Sequence, residues 1–265
     1  MSLSSDYTHL RWERDSSVLR VTIDHPGSDL NVVDEAMHEQ LRRLFSELRN
    51  ETEARVVLLT GRGRAFSAGG DFKWFPSFQE PGVAEQVRRE GKQIIWDLLD
   101  IEIPVISAIN GPAVGLGATI ALACDVIFMA RSATIADPHV KVGVVAGDGG
   151  AVIWPLAVGP ALAKRYLMTG DPLTAEEAER IGLVTHVVDD DELGAEAMAF
   201  ARRLAAGAPL AIRYTKMAVN QLMKNALTTA FDLSMSLEVL TMKSDNHQEA
   251  LQALAEKRDP DFKGL

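Results

Sequence analysis

Two apolar runs, 56–60 (VVLLT) and 104–109 (PVISAI), lead straight into glycine-bearing segments, 64–71 (RAFSAGGD) and 110–117 (NGPAVGLG), and helix-like stretches follow each segment. A short run that is apolar at every position suits a strand buried on both faces. Strand, turn and helix repeated in this way imply an α/β architecture with mostly parallel pairing. The rest of the first two thirds keeps the pattern. Residues 18–23 (VLRVTI) alternate at period two and stop at the loop 24–27 (DHPG), which predicts a strand. Asp34 then caps a helix reaching about Arg49, with Met37, Leu41, Leu44, Phe45 and Leu48 at helical spacing. A second helix is expected over 83–99 and further strands over 125–130 and 183–188. Beyond these, helix formers dominate 193–257, including an amphipathic stretch over 210–223. The expected division is an α/β core over 1–192 and a C-terminal helical region over 193–265.

Composition limits what such a chain does. The hydrophobic share of 47% and charged share of 24% are those of a soluble globular protein with a proper core. A formal charge of -10 argues against broad attachment to nucleic acid or anionic membrane, which draws on clustered Lys and Arg. The single Cys124 sits in an apolar stretch, which predicts a buried inert thiol, no internal disulfide and a cytoplasmic location by default. The N-terminal residues 1–6 (MSLSSD) lack the basic and apolar regions of a secretory signal. Residues 103–124 carry no charge, yet Pro104, Gly111, Pro112, Gly115 and Gly117 break them into strand, turn and buried helix, so no membrane span is expected.

The chemistry is concentrated in the glycine segments. Backbone N–H groups exposed at such turns can converge on one carbonyl oxygen and stabilise the charge that develops on it. Rival glycine motifs fail on spacing: Ile120 stands where a dinucleotide fingerprint needs its third glycine, and no Gly-Lys-Ser/Thr ending appears. Ser67 lacks the first glycine of a nucleophile elbow and is expected to be a turn or pocket-wall serine. A third segment, 137–148 (DPHVKVGVVAGD), puts His139 nine residues ahead of Asp148 in a glycine-rich loop. An aspartate bonded to one imidazole nitrogen fixes the tautomer and raises the basicity of the other. His25 and Asp24 are expected to be a solvated loop pair; His9, His38, His186 and His247 show no motif. No cluster has metal-site spacing, so no metal is implied.

These segments, in this order, resemble the two oxyanion-hole signatures of the crotonase (enoyl-CoA hydratase/isomerase) superfamily, and the resemblance runs from about Leu19 to Arg258. It implies a spiral of β-β-α units with a C-terminal helical region packing between the subunits of a homotrimer or hexamer. It implies hole donors at Gly70 and Leu116, and a substrate approached by Ala68, Asp71, Lys73, Thr119, Gly147 and Lys257. The two lysines match positions near the nucleotide of coenzyme A, which enters as part of an acyl-CoA substrate rather than as a resident cofactor. The two glutamates of simple hydratases align with Thr119 and His139, so efficient hydration is not expected. The segment from His139 through Asp148 to Trp154-Pro155 instead resembles that of oxocamphor hydrolases, which cleave a carbon-carbon bond in a β-diketone without CoA. The resemblance thus implies an acyl-CoA enzyme with a His139–Asp148 dyad; the alternatives are a β-diketone-type hydrolase and a non-catalytic scaffold or RNA-binding relative.

Overall fold

In a computed structural model, which describes residues 3–264, the chain opens with the hairpin β1 (Leu10–Asp15) and β2 (Val18–Ile23), then α1 (Glu35–Leu48) and β3 (Val56–Gly61). The first strand escaped the sequence reading because LRWERD has only Leu10 and Trp12 as apolar members of an otherwise charged run; it is antiparallel to β2 at the sheet edge, where charged side chains face water. Asp34 caps α1 as expected, its Oδ1 accepting from the Met37 N–H at 2.8 Å. The helix turns Met37, Leu41, Leu44, Phe45 and Leu48 inward.

Next come α2 (Val83–Asp100), β4 (Val105–Ile109), β5 (Ala113–Val114), α3 (Leu116–Leu122), β6 (Val126–Ala130) and β7 (Thr134–Ala136). The stretch 103–124 is therefore a buried strand, a turn and a buried helix, and no helix among the described residues is long and apolar enough to cross a membrane. The chain continues through α4 (Gly150–Val158), α5 (Pro160–Thr169), β8 (Leu173–Thr174), α6 (Ala175–Arg180) and β9 (His186–Val188). The main sheet has the order β1-β2-β3-β4-β6-β9 and is parallel from β2 onward; a small sheet pairs β5-β7-β8. The two runs that are apolar throughout, β3 and β4, sit side by side at its centre, buried on both faces.

Three helices end the chain: α7 (Leu193–Ala205), α8 (Pro209–Met242) and α9 (Asp245–Glu256). Buried Leu193, Ala197, Ala201 and Ala205 hold α7 on the main sheet, so the first helix of the expected C-terminal region shares the core of the α/β part. The amphipathic stretch over 210–223 is only the first part of a 34-residue helix that packs on α2 and α4. One buried tie anchors it: Lys216 Nζ lies 2.7 Å from Asp125 Oδ2 and donates to the Ile103 carbonyl at 2.9 Å. Cys124 is buried next to this pair, and burial pushes its thiol well above the usual range, as expected of an inert thiol.

Candidate active site

Parallel neighbours end on the same edge of a sheet, so the turns that leave β3 and β4 emerge together. Asn110 stitches them, its Oδ1 accepting from Gly61 N–H at 3.0 Å while its Nδ2 donates to the carbonyls of Gly63 and Ala65. Gly111 is required there, since a Cβ would fall 2.0 Å from the Arg64 carbonyl oxygen. Ser67 serves the turn, as expected, by donating from Oγ to the Asn31 carbonyl at 2.8 Å.

Gly70 forms a bridge with Val33 in which Val33 N–H goes to the Gly69 carbonyl and Asp71 N–H to the Val33 carbonyl, so the Gly70 N–H points the other way. Leu116 is the first residue of α3, where an N–H has no acceptor within the helix. Neither group donates to another residue among those described. Both residues line one pocket, together with His139 and Asp148. The imidazole lies against the second turn, its Cε1 3.4 Å from where a Cβ on Gly115 would stand.

The histidine is held differently from the sequence expectation. His139 Nδ1 donates to Asp137 Oδ1 at 2.5 Å, whereas Asp148 lies on the Nε2 side at 3.6 Å, beyond hydrogen-bond reach. Asp137, within the quoted segment but given no role there, is thus the orienting carboxylate. Gly150 makes room for it, since a Cβ there would sit 2.0 Å from Asp137 Oδ2. A third carboxyl was not legible at all: Glu238 of α8 brings Oε1 to 3.9 Å from His139 Nε2, and its Oε2 is buried without a partner. Burial alone would depress the imidazole, but the charges of Asp137 and Asp148 outweigh it and hold His139 well above its usual range. Burial raises both Asp148 and Glu238, the latter well above its ordinary value with the Asp148 charge adding to the effect; the nearby imidazole only partly opposes this. The site thus gathers one half-buried imidazole and three buried carboxyls.

The other expected contacts fall outside the wall. Thr119 is fully buried behind Asp148, donating from Oγ1 to Asp148 Oδ1 at 3.2 Å, so it orients a carboxylate. Gly147 faces α8, where a Cβ would lie 2.4 Å from the Ser234 carbonyl oxygen and 2.5 Å from Glu238 Cβ. Ala68 spends its N–H on the Leu30 carbonyl, and Asp71 accepts from Lys73 N–H. Lys73 and Lys257 are exposed, and neither lines the pocket. The pocket wall is largely apolar, with Trp74, Phe75, Phe78, Val144 and Met242, and it includes Arg88 together with His38 and His247, which carried no motif.

Two groups with possible metal-ligand geometry come together across the fold, which spacing in sequence did not show: Asp137, His139 and Asp148, and His9, His25 and Asp34. In the second, His25 Nδ1 accepts from Gly27 N–H at 3.0 Å, leaving its proton on Nε2, which faces Asp34 at 3.1 Å. That tautomer suits a hydrogen bond rather than ligation. His25 is therefore paired with Asp34, and Asp24 with Arg11 and Arg62, in place of the expected loop pair.

A family model described as enoyl-CoA hydratase/isomerase matches residues 13–265. The 1,2-epoxyphenylacetyl-CoA isomerase of Escherichia coli is 33% identical over 253 residues, covering 94% of this chain and 96% of that one. An enoyl-CoA hydratase/isomerase structure from Mycobacterium paratuberculosis superposes with a TM-score of 0.88 at 35% identity, covering 92% of this chain and 98% of the other. ABDH, a β-diketone hydrolase from a cyanobacterium of the genus Anabaena, bound to (S)-3-oxocyclohexyl acetic acid, superposes with a TM-score of 0.84 at 34% identity, covering 90% of this chain and 95% of that one.

Proposed function

The chain belongs to the enoyl-CoA hydratase/isomerase family, and on that premise we propose that it holds the carbonyl oxygen of an acyl-CoA thioester between the N–H groups of Gly70 and Leu116 while His139 moves protons. The observation that carries this reading is the shared pocket: two backbone donors without acceptors beside an imidazole flanked by three carboxyls. Removal of a proton beside the carbonyl sends the bonding pair onto the oxygen, where fixed donors are worth most. Asp148 is the carboxyl next to Nε2 that takes the proton, and the raised imidazole is the acid that returns it at another carbon. Thr119 and His139 stand where simple hydratases have glutamates, which favours proton relocation over addition of water.

A second reading, hydrolysis of a β-diketone, is favoured by the crowding of Asp148 and Glu238 on the Nε2 side of His139. There the dyad takes a proton from water, the hydroxide adds to one carbonyl, and the carbon-carbon bond breaks with its electrons passing to the second carbonyl as an enolate. The imidazolium then protonates carbon. Likeness to ABDH supports this reading. Mass spectrometry after incubation with enoyl-CoAs and β-diketones separates them: on an enoyl-CoA, unchanged mass with an altered spectrum means isomerisation and added water means hydration, whereas on a β-diketone added water with ring opening, or two fragments from an open-chain substrate, means cleavage. A folded protein that changes nothing on either panel overturns both.

A further inference from the structure

His247 lies in the first turn of α9, held by its N–H to Ser244 Oγ at 3.2 Å. Its ring lines the pocket's apolar end and is 1% exposed. Nδ1 is 2.7 Å from the Val142 carbonyl; a carbonyl only accepts, so the ring proton is on Nδ1. Burial keeps the ring neutral, and the bond to Val142 only partly opposes it. Nε2 therefore carries a lone pair, and it is buried with no partner. Such orphans are rare and ask for an explanation. The ring that carries this one stands beside Phe75, with centroids 6.0 Å apart, and lines a pocket whose other residues include Phe78, Val144 and Met242.

We infer that His247 is a specificity-determining residue whose Nε2 accepts a hydrogen bond from a hydroxyl on the hydrocarbon part of the substrate. This rests on the enolate reading for the pocket's other end, but the contact is testable without turnover. A neutral acceptor in an apolar wall suits a neutral donor, and the aromatic and aliphatic lining suits a ring or chain rather than the polar arm of CoA.

The test uses cyclohexanol and methylcyclohexane as probes, bound to the full chain and measured by calorimetry. Asn at 247 can still donate to the Val142 carbonyl but places no acceptor at Nε2, so His247→Asn should lower the cyclohexanol-to-methylcyclohexane affinity ratio by about fivefold, the worth of one neutral hydrogen bond. An unchanged ratio overturns the inference. Should that variant not fold, ¹⁵N-histidine labelling of the wild type decides: cyclohexanol should move the Nε2 resonance upfield, and an unmoved resonance overturns the contact. If pantetheine produces the shift and cyclohexanol does not, the donor belongs to the CoA arm and the hydroxyl reading falls. A protein inert on both substrate panels that still shows the ratio change sinks the enolate reading and leaves this contact standing.

Discussion

Asp137 does for His139 what the spacing in sequence assigned to Asp148, and the two positions make different predictions. Removing the imidazole in His139→Ala should cost about 10² to 10⁴ in kcat on whichever substrate is turned over, the usual range for general acid-base assistance, with binding largely kept. Single-turnover kinetics checks it; a kcat within threefold of wild type puts the chemistry elsewhere. Asp137→Asn addresses the pH dependence. The nearby carboxylates hold the imidazole well above its usual range, Asp137 being the strongest of them. With the raised imidazole as the acid that returns the proton, the rate therefore falls as pH rises through that elevated pKa. With the Asp137 charge gone, the imidazole loses its proton at lower pH, so the basic limb of kcat/KM against pH should move toward acid. A limb that stays in place identifies a titrating group other than His139.

At the scale of elements, Gly147 sets how closely α8 approaches the loop after His139. A Cβ there meets the Ser234 carbonyl oxygen, which is backbone and cannot swing aside, as well as Glu238 Cβ. Gly147→Ala should therefore cost about 1 to 3 kcal/mol of stability, the range for overpacking a tight contact, and should lower activity by shifting Glu238. Thermal unfolding and kinetics on the folded variant test both, and an unchanged Tm would mean that the helix gives way freely. This contact also explains what sequence could and could not disclose. The glycine turns were legible because their residue types encode local backbone geometry, and β3, β4 and α1 because their periodicity is local. Glu238 was not legible: it stands 99 positions from His139 in a helix with apolar residues on several faces, and only tertiary packing brings the two together. The two- and three-residue strands β5, β7 and β8 are too short to carry a pattern.

At the scale of the molecule, α8 is tied inward at Lys216 and presents apolar side chains outward. Asp125 keeps its half-buried position through the buried Lys216 ammonium: burial raises its pKa, and the ammonium opposes that rise. Lys216→Met leaves the carboxylate uncompensated and should destabilise the fold by about 3 to 5 kcal/mol, whereas pairing it with Asp125→Leu should recover much of the loss. Denaturant unfolding of the two variants checks the pair. Outward, Leu210, Tyr214 and Met217 form one triplet spaced i, i+4, i+7, and Leu233, Leu237 and Leu240 form another, each residue at least 40% exposed. Spaced in this way, a triplet lies on one face of a helix, and a helix of 34 residues extends about 51 Å. Two apolar stripes along such a rod call for a protein surface to cover them, and another copy of the chain supplies it if the C-terminal helices pack between subunits as the resemblance implies. Light scattering on the purified protein should therefore give a trimer or hexamer at micromolar concentration. Leu233→Lys combined with Leu240→Lys should shift that mass toward the monomer while leaving the far-UV spectrum unchanged. A wild type that is monomeric, or a double variant that stays fully assembled, would remove the second stripe from any interface.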